Sequence, residues 1–141
     1  MAAKFSRQGI SFSYPENWTE EFEENESGWT VSIQSPGTAF LSMTLDESML
    51  PMGEVADAAL EVMKAEYPKL ESEPVCSTLA DRPAVGHDIE FFSLDLINSC
   101  KIHAVATGFG TLVVLTQATD TETTNWKVLD AICKSMEISD E

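Results

Sequence analysis

The residue types best suited to chemistry in this chain fall in three places. They are His87-Asp88-Ile89-Glu90 with His103 further on, the thiol of Cys100 three residues before His103, and a run of glutamates from Glu16 to Glu26. Imidazoles joined by carboxylates bind Zn²⁺ or exchange protons near neutrality. On a strand His87 projects with Ile89 and Asp88 with Glu90, so a metal site there needs a ligand from a neighbouring strand. His103 is the candidate ligand, because a turn over Asp95–Asn98 sets its strand beside that of His87. With both imidazoles on one face, the pair would bind a metal or titrate together. The competing reading is two separate histidines, one half-buried and one exposed.

Nucleophilic chemistry finds less support. Cys100 and His103 stand at i and i+3, which on a strand means opposite faces. No Gly-x-Ser-x-Gly elbow occurs, and Gly108-Phe109-Gly110 lacks both the third glycine and the following helix of a dinucleotide loop. The expectation is a chain without catalysis and without a cofactor.

Charge is the sharpest feature. Of the formal −16, −11 comes from residues 8–63, which contain no lysine or arginine. Six of those acids, Glu16, Glu20, Glu21, Glu23, Glu24 and Glu26, surround Trp18 and Phe22. A surface of this kind steers a basic protein partner, with Trp18, Phe22 or Trp29 as apolar anchors. The plainer alternative is a solubilising face whose glutamates keep an exposed strand from pairing edge to edge. Calcium is not expected, since the run lacks the alternating Asp/Asn spacing and central glycine of a tight oxygen cage. Nucleic acid and anionic membranes are excluded as partners, because phosphate contacts need clustered lysine and arginine.

A second contact candidate is Met49, Leu50 and Met52, apolar residues in a segment without periodicity. Methionine suits adaptable surfaces, so this loop reads as a partner contact or a homodimer seam. The ordinary explanation is a fold over the sheet end, or a staple for the helix that follows.

These residues need elements to hold them. Alternation marks strands at Ile10/Phe12/Tyr14, Trp29/Val31/Ile33 and Ala39/Leu41/Met43/Leu45, the last two forming a hairpin through Ser35-Pro36-Gly37. A helix is predicted from Glu54 to Tyr67, with Val55, Ala58, Ala59, Val62 and Met63 on its apolar side and Pro68 as its stop. Leu70–Leu79 reads as a weak strand and Ala80-Asp81-Arg82-Pro83 as a turn. Val85, Ile89 and Phe91 alternate, but Phe92 and Leu94 take the opposite phase, which predicts a bulge or a strand buried on both sides. Leu112-Val113-Val114-Leu115 is apolar on both faces, the mark of a central strand. A closing helix runs from about Thr121 to Met136, capped by Asp120 or Thr121. The fold class is therefore α+β, an antiparallel sheet of about six or seven strands with helices on both faces, in one domain over residues 1–141.

No apolar run in the chain approaches the roughly 20 residues of a membrane span. The opening MAAKFSRQGISFSYP has no signal-peptide core, and Cys76, Cys100 and Cys133 are odd in number. Cytoplasmic placement with three buried, reduced thiols is expected.

Gly9-Ile10-Ser11-Phe12-Ser13-Tyr14-Pro15-Glu16-Asn17-Trp18 resembles the G-x-x-F-x-x-P-x-x-W opening of PsbP-like and Mog-type proteins. Trp126 through Lys134-Ser135-Met136-Glu137-Ile138 is similar to their closing helix and its exit, and Leu79–Ala84 to their G-x-P-A hairpin, with Asp81 standing where glycine is usual. The likeness spans about Phe5 to Ile138 and implies an α/β/α sandwich around an antiparallel sheet. It also implies a mostly non-catalytic group: an extrinsic photosystem subunit, a Ran-binding protein, and bacterial effector chaperones and lipoproteins. Architecture alone carries none of these roles over.

The functional expectation is a non-catalytic, adaptor-like or chaperone-like protein-binding domain. Its contact surface is Glu16–Glu26 with Trp18 and Phe22, and secondarily Met49, Leu50 and Met52. The alternative is a metal-binding or metal-sensing domain through His87 and His103.

Overall fold

The computed structural model describes Ala2–Asp140. In chain order the elements are β1 (Ala2–Arg7), β2 (Ile10–Pro15), β3 (Thr19–Asn25), β4 (Gly28–Gln34), β5 (Phe40–Asp46), α1 (Met52–Glu66), β6 (Glu71–Leu79), β7 (Arg82–Ser93), β8 (Leu96–Thr107), β9 (Gly110–Thr119), α2 (Thr123–Lys134) and β10 (Glu137–Ile138). They build a seven-stranded antiparallel sheet ordered β3-β4-β5-β9-β8-β7-β6 and a three-stranded one ordered β1-β2-β10.

Alternation sets the faces. On β4 and β5 the buried side is Trp29, Val31, Ile33, Leu41, Met43 and Leu45, and it joins β2's Ile10, Phe12 and Tyr14 with α2's Leu129 and Ile132 in one core. On the other face Ala56, Leu60 and Met63 of α1 pack on Ile89, Phe91, Cys100 and Ile102 in a second core. β9 sits fourth of seven strands and feeds both cores, Leu112 and Val114 on one side and Val113 and Leu115 on the other, as its two-sided apolar run predicts. The helices thus lie on opposite faces of the large sheet.

Each cover reaches only half of the sheet. The α1 face is left open over β3–β5, presenting Glu21, Glu23, Thr30, Ser32, Ser42 and Thr44. The α2 face is left open over β6–β8, presenting Glu73, Asp88, Glu90, Lys101 and His103. Polar residues alternate with buried ones on these half-covered strands because water reaches one side of them.

Several expectations need correction. The apolar side of α1 is Met52, Ala56, Ala59, Leu60 and Met63, so Ala59 and Met63 lie where expected while Ala58 is exposed and Val62 is 68% exposed. The β7–β8 register runs unbroken through Phe91↔Asn98 and Phe92↔Ile97, so there is no bulge; Phe91 is buried and Phe92 points to the uncovered side. The turn joining these strands is Leu94-Asp95, not Asp95–Asn98. The residue capping α2 is Glu122, and its carboxylate accepts bonds from Thr38, Thr119 and Asn125. Of the thiols only Cys100 is buried; Cys133 is half-buried and Cys76 exposed. Burial pushes the Cys100 thiol up to about 12 and Cys133 to about 11, so neither offers a thiolate at neutral pH.

Candidate functional site

The glutamate run folds as β3, exposed along its whole length, and β3 is an edge strand of the large sheet. Among the described residues it pairs with β4 only, so its outer row of backbone donors and acceptors faces solvent. The pleat divides its side chains. Glu20, Phe22 and Glu24 stand opposite Ile33, Val31 and Trp29 and lean toward the small sheet, whereas Glu21 and Glu23 stand opposite Ser32 and Thr30 on the open face.

The inner set is already partnered. Glu20 accepts a 2.7 Å bond from the Tyr14 hydroxyl, which burial first and Glu20 second push up to about 12. Arg7 pairs with Glu24 and lies over the Phe22 ring, and that ring in turn sits 6.0 Å from Trp29 and 6.1 Å from Phe5. The outer set is not: the ion pairs among the described residues involve neither Glu21 nor Glu23. These two carboxylates border a shallow groove of about 410 Å³ floored by Thr30 and Ser32.

Glu16 and Glu26 are exposed at the two ends of this edge. Trp18 is not an anchor: it is 5% exposed and belongs to the first core, as does Trp29, whose indole donates to Gln8. Phe22, at 39% exposure, is the aromatic a partner can reach. Met49 and Leu50 are exposed beyond the end of β5, but Met52 is the first residue of α1 and packs against the second core. The loop is pinned where Thr111 donates to the Leu50 carbonyl.

The paired histidines do not form. Gly86 stands opposite His103 and His87 opposite Ile102, so the two imidazoles leave opposite faces of the sheet. His87 is buried under α1 with Nε2 2.9 Å from an Asp57 oxygen, and its Nδ1 has no hydrogen-bond partner. His103 opens onto a groove of about 260 Å³ between α2 and β6–β8, its Nδ1 3.1 Å from the Ser77 hydroxyl. Burial lowers its proton affinity, with Asp88 opposing and Lys101 reinforcing, which keeps this imidazole neutral at neutral pH. That groove falls short of the roughly 300–1,000 Å³ of a ligand pocket. Among the described residues no three His, Cys, Asp or Glu side chains converge as a metal centre.

Sequence reasoning missed one surface. The β7–β8 hairpin tip exposes Phe92, Leu94, Leu96 and Ile97, with Leu94 93% exposed. Leu94 and Asp95 both take left-handed backbone, φ 52° and 63°, the conformation of a two-residue turn that favours Asn and Gly. A leucine there costs roughly 1–2 kcal/mol. The off-phase Phe92 and Leu94 were the available signal, pointing outward rather than into a core.

The architecture is that of an α+β sandwich whose large antiparallel sheet lies between α1 on one side and the small sheet with α2 on the other. It is similar at the level of fold to a number of solved structures, three of which follow. One is a protein of Bacteroides thetaiotaomicron VPI-5482, at 14% identity and TM-score 0.64, covering 98% of this chain and 48% of that one. Another is LpqN of Mycobacterium tuberculosis, involved in cell envelope biogenesis, at 15% identity and TM-score 0.55, with 98% and 85% covered. The third is cyanobacterial PsbP (CyanoP) of Synechocystis sp. PCC 6803, at 12% identity and TM-score 0.60, with 98% and 92% covered. The chain spans about half the length of the Bacteroides protein. No protein-family model and no curated protein matches it. The PsbP-like resemblance therefore holds for the fold. No helix among the described residues is long and apolar enough to cross a membrane.

Proposed function

We propose that this chain is a non-catalytic protein-binding domain whose edge strand β3 receives an extended, basic segment of a partner. The observation that carries the reading is the coincidence, on one strand, of an unpaired backbone edge with two carboxylates, Glu21 and Glu23, that enter no ion pair among the described residues. Strand addition draws affinity from main-chain hydrogen bonds and specificity from alternate side chains. Lysines on the incoming strand would meet Glu21 and Glu23 along the open face. The same glutamates repel a second copy of β3, so the edge rejects itself while accepting a strand of opposite charge.

The test uses an alternating Lys-Val peptide of β3's length, labelled for fluorescence anisotropy. A control peptide N-methylated at alternate residues keeps the charge and loses the backbone donors. Binding should weaken at least tenfold from about 50 mM to about 500 mM salt, as screening shortens to a few Å. It should also weaken several-fold in Glu21→Gln/Glu23→Gln. Equal binding of the two peptides, or an unchanged double variant, would overturn the reading.

A further inference from the structure

The apolar tip of the β7–β8 hairpin lies beside an apolar groove. Phe92 belongs to both: it is exposed near Leu94, and it lines a trough of about 410 Å³ with Glu66, Tyr67, Pro68, Lys69, Leu70 and Phe91. The floor is rigid, since Tyr67 and Phe91 stack with centroids 4.0 Å apart at 21°. A projecting knob and a fitted hole on the same end of one chain make a self-complementary surface, which is what a two-fold interface requires.

Charge admits the same occupant. Asp95 follows Leu94 at the tip, and the wall of the trough carries Lys69, which Asp95 can meet, together with Glu66. A bilayer suits this end poorly, because the carboxylate at its apex and the net −16 of the chain oppose insertion at a lipid surface. A foreign basic partner has the glutamate edge on β3 to meet. Area agrees: at about 200 Å² for each large side chain, scaled by exposure, the four tip residues present on the order of 500 Å² per copy. A monomer's largest apolar patch is about 300–600 Å² and often functional. Two such patches bury about 1,000 Å², the lower bound of a specific interface.

We propose that this end pairs two copies of the chain about a two-fold axis. Leu94 of one protomer seats in the trough formed by Tyr67, Phe91 and Phe92 of the partner subunit, and Asp95 faces Lys69 of the partner subunit. The left-handed Leu94 is then a residue kept for what it contacts in the pair rather than for what it does in the turn.

Sedimentation velocity from about 1 µM to about 500 µM tests this. An interface of this size belongs with weak, transient encounters, so the concentrations span the micromolar range. Leu94→Asn, which suits the turn and removes the knob, should weaken association at least tenfold, while Val62→Asn, exposed on α1, should leave it unchanged. Lys69→Asp and Asp95→Lys should each weaken it several-fold, and the double swap should restore it to within about twofold. Salt should strengthen the pairing by screening the mutual repulsion of two −16 chains, opposite in sign to the effect on peptide binding at β3, so failure of one proposal is distinguishable from failure of the other. A mass that stays monomeric at every concentration, an unchanged Leu94→Asn variant, or a monomer that instead floats with phosphatidylcholine vesicles would overturn it.

Discussion

Replacing Leu94 separates backbone conformation from side-chain contact. At 93% exposure Leu94 buries almost nothing in the monomer, so truncation loses no core. Its cost lies in φ at 52° with a branched side chain attached. The left-handed penalty for a residue with a Cβ is roughly 1–2 kcal/mol, and Asn recovers much of it by local hydrogen bonding. Leu94→Asn should therefore stabilise the monomer by about 1 kcal/mol, a rise in midpoint of about 3–5 °C for a chain of this length. Leu94→Ala keeps the Cβ and with it the penalty, so its stability should match the parent. Urea unfolding followed by tryptophan fluorescence at about 0.1 µM, where a pair of micromolar affinity is largely dissociated, reads both variants as shifts in midpoint at constant slope. Loss of stability in Leu94→Asn would mean the leucine is packed in the monomer. Equal stability of the Asn and Ala variants would mean the turn stores no strain. Either result refutes the reasoning.

Two further outcomes follow from the same coordinates. Trp18→Ala empties a buried site in the first core and should cost about 3–5 kcal/mol in urea unfolding, yet leave peptide affinity per folded molecule unchanged, because Trp18 is not part of the β3 surface. Burial alone raises the proton affinity of Glu122, but the bonds from Thr38, Thr119 and Asn125 outweigh it and hold the carboxyl below its ordinary value of 4.5. A depressed carboxyl stabilises fully above the unfolded value and loses that contribution as pH falls through the folded one. Glu122→Gln should thus be about 1 kcal/mol less stable than the parent at neutral pH, with the gap closing below about pH 4.5 in thermal melts across pH.

Much of the framework was legible because strand periodicity is local. Ile10/Phe12/Tyr14, the hairpin of β4 and β5 and the two-sided β9 all follow from alternation and turn residues within a few positions. The phase of α1 was harder: Val62 and Leu60 are both apolar, and only the position of the β7–β9 surface selects Leu60. The histidine pairing illustrates a signal that was present but unused. A hairpin loop with an even number of residues matches odd positions with even ones, and His87 and His103 are both odd, so either placement of that turn sends them to opposite faces. A tryptophan among glutamates looks exposed in sequence, while in space the turn after β2, closed by the Trp18 N–H on the Pro15 carbonyl, sets the indole into the first core before β3 emerges.

The sequence by itself determined most strands of the large sheet along with β2, the two helices, the acidity of the first half and the absence of a nucleotide loop, since each rests on residues close together in the chain, whereas β1, β3 and β10 carry no clear apolar alternation. Only the tertiary structure decided which half of each sheet face is covered. α1 buries one corner of the large sheet and the small sheet with α2 buries the opposite one, and that choice leaves Glu21 and Glu23 open, hides Trp18, and sets Phe92 and Leu94 in solvent. The physical reason is that a pleat fixes only which residues share a side, whereas the layer packed against that side comes from segments dozens of residues away.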